Sequence, residues 1–191
     1  MTCYLYVLPL AYEDILKLGI SHDPLARVQA FARRYYDFFD LSRSLLVEFD
    51  SRREAQARET ELHRRLRDWN AVQPITVPDP AAGKTEWYRG AYSVVREAIE
   101  QDIAIGHVIH APALPWWKIR VNAERDRLYE WGCQMLRESE EVGLPSADKL
   151  RLLADTLDAY TVLGLPLGGA LPAELAQWYR RYRSAFSTCL R

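Results

Sequence analysis

An apolar segment that leads directly into a capped helix, residues 15–27, limits what this chain can fold into. Residues 15–21, Ile-Leu-Lys-Leu-Gly-Ile-Ser, alternate roughly between apolar and polar side chains, as half-buried strands do. Asp23 and Pro24 suit an N-cap and a first helical position, because proline lacks the N–H that would be left unbonded there. The segment therefore predicts a strand that turns tightly into a helix, with Gly19 marking a close approach of backbone or ligand.

Two basic side chains flank this turn. Lys17 lies on the predicted strand, and Arg27 lies one turn into the predicted helix. The two could converge above Gly19 on a surface suited to a phosphate group. The alternative is that both are solvated side chains beside an ordinary strand–helix turn, since exposed basic residues are common.

The neighbouring segments predict a small α+β domain over residues 1–105. Residues 3–9 are rich in strand formers and end at Pro9, so they should pair antiparallel with residues 15–21. Residues 45–49 predict a third strand, and Ser51 with Glu54 has the spacing of a capping box that opens a helix through roughly residue 69. The other expected elements are a first helix to about residue 36, an exposed loop at 70–83, a short strand or turn at 85–88 and a helix from 92 to about 105.

The rest of the chain predicts an all-α domain. Residues 106–115 are rich in His, Ala and Pro, which indicates a linker. Beyond it, apolar residues at helical spacing predict three helices, from about 116 to 142, from 146 and after Pro172. We therefore expect a three-helix domain over 116–191. Its aromatic residues fit a helix bundle or a homodimer formed through these helices, with base stacking as the alternative.

Composition restricts the partners and the compartment. The net charge of −1 supplies no overall field for nucleic acid, so any such binding must come from a local patch. The three cysteines, Cys3, Cys133 and Cys189, are scattered and odd in number, which favours free thiols in a reducing compartment. Because no leader pattern and no run of about 18 apolar residues occurs, we expect a cytoplasmic protein without a membrane partner.

Five residues form the candidate catalytic set: Tyr6, Lys17, Arg27, Glu59 and His63. Hydrolysis of a phosphodiester needs a divalent cation, a base for water, and positive charge near the phosphate. A helical Glu can hold Mg²⁺ that keeps most of its waters, and a strand Tyr can take or relay a proton. The alternative is that Glu59 and His63, four residues apart, form a surface pair on a helix and that Tyr6 is a core aromatic.

Several short motifs occur in a defined order along residues 1–105: Tyr4-Leu5-Tyr6, then Lys17-Leu18-Gly19-Ile20-Ser21, Asp23-Pro24 and Arg27, then Glu59-Thr60-Glu61-Leu62-His63, then Glu86-Trp87-Tyr88. In this order they resemble the GIY-YIG endonuclease superfamily, and more narrowly its phage and fungal branch, the meiotically up-regulated gene type. The resemblance implies a small GIY-YIG-like antiparallel sheet flanked by helices. It also implies hydrolysis of DNA phosphodiester bonds with Mg²⁺ or Mn²⁺.

The resemblance assigns roles to three positions. Tyr6 takes the place of the catalytic Tyr of the first triplet, Arg27 that of the phosphate-stabilising Arg, and Glu59 that of the single carboxylate metal ligand. His63 and Glu86 match positions that are typical of the branch.

Two positions depart from the superfamily pattern. Tyr4 stands where the first triplet has Gly, and Lys17 stands where the second triplet has Tyr. Lys17 can contact phosphate, but at its reference pKa of about 10.4 it cannot replace a phenolic proton carrier.

Five arginines are candidates for DNA contacts: Arg27, Arg33, Arg34, Arg58 and Arg65. Acidic residues interleave with those on the Glu59 helix, so ordinary pairing three or four residues apart could engage several of them. We expect a metal-dependent DNA endonuclease. The alternatives are a non-catalytic DNA-binding module and a phage or host protein-interaction factor that uses the same scaffold.

Overall fold

An antiparallel sheet with the strand order β4-β2-β1-β3-β5 organises residues 1–117, the first of two compact units in the computed structural model. The structure describes residues 1–78, 85–141, 147–167 and 171–189. The strands are β1 (Cys3–Pro9), β2 (Ile15–Ser21), β3 (Leu45–Phe49), β4 (Trp87–Arg89) and β5 (Ile109–His110). The α+β class and the strands expected at 3–9, 15–21 and 45–49 are thereby confirmed.

Alternation along the strands gives the sheet two apolar faces. One face, here the α3 face, packs against helices α3 (Arg52–Arg65) and α4 (Tyr92–Ala104). Its buried side chains form one cluster that includes Leu5, Val7, Leu16, Leu18, Ala55, Leu62, Tyr88, Val95 and Ile99. The other face, here the α1 face, carries Tyr6, Lys17 and Trp87. Phe31 at the end of helix α1 (Pro24–Phe31) packs edge-on against the rings of Tyr6 and Trp87 on this face.

Side-chain caps open the two helices that carry candidate site residues. Asp23 accepts a hydrogen bond from the N–H of Ala26 at 3.1 Å, and Pro24 is the first residue of α1. Ser51 accepts one from the N–H of Glu54 at 3.2 Å, so α3 begins where the capping box predicts. Both caps satisfy backbone donors that a helix start leaves unbonded.

Helix α1 ends earlier than the expected residue 36. Ala32 is extended, with φ −153° and ψ 132°, and a second short helix, α2 (Tyr35–Phe38), follows. The end of α2 is tied to the β1–β2 hairpin, since the N–H of Ala11 donates to the carbonyl of Phe38 at 3.0 Å. These tertiary bonds override the local helical pattern.

Residues 106–115, expected to be a linker, contribute the edge strand β5, which pairs with β3. Ser44 secures the following segment, because its carbonyl accepts from the N–H of Ala113 and its Oγ accepts from Nε1 of Trp117, both at 2.8 Å. Residues 79–83 of the expected loop at 70–83 lie outside the described residues.

Helices make up residues 118–191 as far as the structure describes them. They are the end of α5 (Leu114–Ala123), then α6 (Arg125–Glu141), α7 (Ala147–Val162) and α8 (Ala173–Cys189). The helix expected from 116 to 142 is therefore divided in two, and residues 142 and 146 lie outside the described part. The carbonyl of Val121 accepts from Oη of Tyr160 at 2.7 Å and from the N–H of Glu124 at 3.1 Å. These bonds interrupt the regular hydrogen bonding of an α-helix between α5 and α6. Among the described residues, no helix is long and apolar enough to cross a membrane.

We propose that the first unit reaches its full stability only when it includes Trp117, whose side chain is fully buried. A chain of residues 1–123, which keeps α5 whole, should unfold at a higher urea concentration than a chain of residues 1–105. The shorter chain loses β5 and the Trp117 side chain, and a lost buried Trp costs about 3–5 kcal/mol. Equilibrium urea denaturation followed by circular dichroism measures the difference.

Two substitutions in the 1–123 chain serve as matched controls. Trp117→Ala should reproduce most of the loss, whereas Ile119→Ala, at a side chain that is 71% exposed on the same helix, should change little. Equal urea midpoints for the 1–105 and 1–123 chains would contradict the proposal.

Candidate metal centre and phosphate site

The candidate site lies at the edge of β2, where β4 leaves the sheet. β4 pairs with β2 only through Ile15, Leu16 and Lys17. One residue before β4, the carbonyl of Glu86 accepts from the N–H of Leu18 at 3.1 Å. Side chains from both faces of the sheet can therefore meet at this edge.

Glu59, His63 and Glu86 converge at this edge from α3 and from the residue before β4. One ligand atom of each lies within 4.8 Å of the other two. Oε1 of Glu59, a residue only 6% exposed, is 3.8 Å from Nε2 of His63. Gln56, three residues earlier on α3, donates from Nε2 to Oε2 of Glu59. Two carboxylates and an imidazole are ligands that divalent cations accept, so the donor set fits such an ion.

Tyr88 holds the other side of the His63 ring. Its hydroxyl is hydrogen-bonded to Nδ1 of His63, and it also donates to the carbonyl of Thr85 at 3.3 Å. The two rings stack, with centroids 5.9 Å apart. Burial raises the pKa of Tyr88 to about 12, with smaller upward contributions from Glu86 and Glu59. The phenol is therefore neutral at neutral pH.

Lys17 is fully buried on the α1 face and forms an ion pair with Oε2 of Glu86. Its Nζ lies 5.4 Å from the ring centroid of Trp87 and 5.7 Å from that of Phe31, which are cation–π distances. Burial lowers the pKa of Lys17, and the hydrogen bond and charge of Glu86 oppose that shift. Lys17 therefore holds Glu86 in place at the sheet edge.

Tyr6 and Arg27 form a second pair on the α1 face. Nε of Arg27 donates to Oη of Tyr6 at 3.3 Å, and the guanidinium lies 4.6 Å from the ring centroid of Phe31. Burial raises the pKa of Tyr6 to about 12, although the hydrogen bond and charge of Arg27 act against the shift. Glu86 and Glu59 add smaller upward contributions to the same pKa, which places all four groups within one electrostatic environment.

Gly19 makes room for the Tyr6 ring. The two residues are directly opposite in the β1–β2 ladder, and a Cβ on Gly19 would lie 2.5 Å from Oη and 2.7 Å from Cζ of Tyr6. The close approach predicted at this glycine is therefore made by a side chain of the site itself.

The structure brings the five catalytic candidates together in two groups, one on each side of the sheet. Tyr6 and Arg27 lie on the α1 face, and α3 with Glu59 and His63 packs against the α3 face. The Lys17–Glu86 pair joins the two groups around the end of β4.

The other candidate arginines are dispersed. Arg58 is engaged by the buried Asp102, by Glu61 and by the carbonyl of Ala98. Arg34 pairs with Asp37 at 2.7 Å. Arg33 and Arg65 are exposed.

Sequence reasoning did not find the supporting roles of Gln56 and Tyr88. Gln56, Glu59 and His63 share helical spacing, which is a signal that could have been used for Gln56. Tyr88 stands in a motif with Glu86, but only the strand register shows that its hydroxyl reaches His63.

The chain was compared with protein families, curated proteins and solved structures. Residues 3–102, just over half of the chain, match the family model described as T5orf172 domain, a phage-derived domain in the GIY-YIG/HNH-like endonuclease clade. No curated protein and no solved structure matches the chain.

Gly19→Ala should lower the free energy of unfolding by about 1–3 kcal/mol, the usual cost of overpacking a core. The new methyl group would overlap the Tyr6 ring, which is buried against Phe31 and has little room to move. Urea denaturation of the full chain measures the change.

A double-mutant cycle isolates this contact. In a Tyr6→Leu background the aromatic atoms that a Cβ at position 19 would meet are gone, so Gly19→Ala should cost clearly less there. The same cost in both backgrounds would show that Gly19 is not required by Tyr6.

Proposed function

The chain belongs to the T5orf172 domain family, and from that membership and the geometry of the site we propose that it hydrolyses DNA phosphodiester bonds with a divalent cation, Mg²⁺ or Mn²⁺. The observation that carries the proposal is the convergence of Glu59, His63 and Glu86 at one sheet edge, with the Tyr6–Arg27 pair on the face from which Lys17 contacts Glu86. The family supports a nuclease or DNA-binding role. Membership of the GIY-YIG superfamily, which the order of the motifs implies, is part of the proposal.

The cation would be held by Glu59, with His63 and Glu86 beside it. When bound, it supplies a positive charge that polarises the scissile phosphate and stabilises the leaving oxygen. Glu59 is suited to this role because Gln56 fixes one of its oxygens and because burial keeps bulk water away from the carboxylate.

Arg27 would bind a non-bridging oxygen of the scissile phosphate, since a guanidinium donates several N–H groups in a fixed fork. Its position is set by the bond to Tyr6 and by the contact with the Phe31 ring. A charge that acts on both the bound substrate and the transition state contributes to affinity and to rate.

Tyr6 would relay a proton: Oη would give its own proton to a phosphate oxygen of the substrate and take one from the attacking water. Because its pKa is about 12, the group is a neutral phenol at neutral pH and does not start as a phenolate base. The N–H of Arg27 donates to this oxygen and so stabilises the negative charge that develops as the phenol gives up its proton.

The second candidate function is a DNA-binding module without catalysis. The specific observation in its favour is Lys17, which stands where the superfamily has a second tyrosine and is buried in an ion pair with Glu86. Such a module would use Arg27 with the exposed Arg33 and Arg65, and would need neither Glu59 nor Tyr6. The homodimer through the C-terminal helices stays a prediction, for which light scattering of the full chain is the measurement.

Glu59→Gln should reduce cleavage of supercoiled plasmid in the presence of Mn²⁺ by at least about 100-fold, the scale of losing one transition-state stabiliser. The substitution preserves the shape but removes a charged metal ligand, so DNA affinity should change little. The matched control is Glu61→Gln, on the same helix at a side chain that is 63% exposed. Equal cleavage by the wild type and Glu59→Gln would show that the activity is a contaminant or uses another site.

Cleavage by the wild type distinguishes the two candidate functions, and Arg27→Ala tests the arginine on which both depend. In a nuclease it should weaken both cleavage and DNA binding, whereas Arg96→Ala, at an exposed arginine paired with Glu100 on α4, should affect neither. If the wild type binds DNA in a salt-sensitive way without cutting it, and Arg27→Ala abolishes that binding, the DNA-binding module is the correct function.

A further inference from the structure

We propose that Glu59, His63 and Glu86 together form a three-ligand centre that selects a first-row transition ion such as Mn²⁺ over Mg²⁺, and that Tyr88 is the positioning residue for His63. The inference deepens the proposed function and rests on it for the reaction that the ion would serve. A site with Glu59 as the single protein ligand would have fewer ligands and no nitrogen ligand. The proposed centre differs from it in both respects and in the ion that it prefers.

The hydrogen bonds of Tyr88 suit one tautomer of His63. A phenol has one proton, and because a carbonyl can only accept, the contact with the carbonyl of Thr85 at 3.3 Å uses that proton. We infer that the bond between Tyr88 and Nδ1 of His63 is donated by an N–H of the ring. In a neutral imidazole the other nitrogen, Nε2, carries a lone pair.

That lone pair faces negative charge. Nε2 of His63 is 3.8 Å from Oε1 of Glu59, which is beyond hydrogen-bond distance, and a ligand atom of Glu86 completes the cluster within 4.8 Å. A lone pair and two carboxylates that converge without a donor between them repel one another. A cation bound to all three removes the repulsion, so the arrangement is that of a ligand set.

Each ligand is oriented by a second bond. Gln56 holds Oε2 of Glu59, Lys17 holds Oε2 of Glu86, and Tyr88 holds Nδ1 of His63. Such outer bonds fix the direction of metal ligands and commonly accompany them. Two carboxylates and one lysine give the cluster a net charge of about −1. A bound divalent cation would change this to about +1, beside the position of the phosphate.

The imidazole decides which ion the site prefers. Mg²⁺ favours oxygen ligands in a near-octahedral shell and keeps several waters, and it binds nitrogen poorly. Divalent transition ions accept an imidazole with carboxylates, and their affinities for such sites exceed that of Mg²⁺. One nitrogen and two carboxylate oxygens therefore favour Mn²⁺ over Mg²⁺.

The test measures binding of Mn²⁺ to the full chain without DNA, from the electron paramagnetic resonance signal of free Mn²⁺, with Mg²⁺ as competitor. The wild type should bind one Mn²⁺ per chain. The dissociation constant for Mg²⁺, obtained from the competition, should be at least about 10-fold higher than that for Mn²⁺. His63→Gln should lower Mn²⁺ affinity by at least about 10-fold while Mg²⁺ affinity changes little, so that the preference disappears.

Tyr88→Phe tests the positioning role. The ring stays in the core, but the hydroxyl that accepts from Nδ1 is lost, so Mn²⁺ affinity should fall by about 10-fold. The matched controls are His110→Gln, which removes an imidazole 2.8 Å from Oε1 of Glu48, and Tyr92→Phe, which removes a hydroxyl bonded to the carbonyl of Arg43. Both controls should bind Mn²⁺ as the wild type does. Thermal unfolding of each variant verifies that it is folded.

Equal wild-type affinities for Mn²⁺ and Mg²⁺, or unchanged Mn²⁺ affinity in folded His63→Gln, would overturn the inference. The second result is what a His63 that is not a metal ligand would give. If Mn²⁺ binds tightly through His63 but no DNA is cut, the proposed function fails and the metal centre stands. If DNA is cut and Mn²⁺ binding does not depend on His63, the proposed function stands and the three-ligand metal centre fails.

Discussion

The ion pair between Lys17 and Glu86 is the interaction on which the arrangement of the site depends. The lysine is fully buried, and its Nζ lies within cation–π distance of the rings of both Trp87 and Phe31. Burial lowers the pKa of Lys17, and the hydrogen bond and charge of Glu86 make the largest contributions that oppose this shift. A buried charge that loses its partner costs on the order of 3 kcal/mol, so Glu86 is held at the sheet edge by the stability of the core itself.

This pair connects two surfaces that a sheet would otherwise keep apart. Tyr6 and Arg27 are on the α1 face, whereas Glu59 and His63 come from a helix that covers the α3 face. Because β4 covers only three residues of β2, Glu86 can contact Lys17 from one side and lie beside Glu59 and His63 on the other. The short length of β4 permits this arrangement, since a longer β4 would close the edge at which the groups meet.

Local pattern was enough to predict the strands β1, β2 and β3 and the starts of α1 and α3. Residues 3–9 and 15–21 alternate and are punctuated by Pro9 and Asp23-Pro24, and these signals are local to each element. The end of α1 depends instead on bonds between α2 and the β1–β2 hairpin, which no local pattern contains. β5 has two residues, too few to show any periodicity.

The contacts within the site also differ in how far they could be predicted from local sequence. Glu59 and His63 are four residues apart on one helix, so their proximity follows from helical geometry. The contact of Lys17 with Glu86 spans 69 residues and depends on the register of β2 with β4. The capture of Arg58 by Asp102 spans 44 residues and requires the packing of α3 on α4. Separations of this size are fixed by the fold, and a single sequence carries no direct record of them.

Diffraction at the manganese absorption edge, from crystals of the full chain grown with Mn²⁺, tests the central claim most directly. The account predicts one strong anomalous peak within about 2.0–2.3 Å of a Glu59 oxygen, Nε2 of His63 and a Glu86 oxygen, with Lys17 bonded to the other oxygen of Glu86. A peak bound by Glu59 alone, or a structure in which Lys17 and Glu86 are apart and no ion lies at this edge, would contradict it.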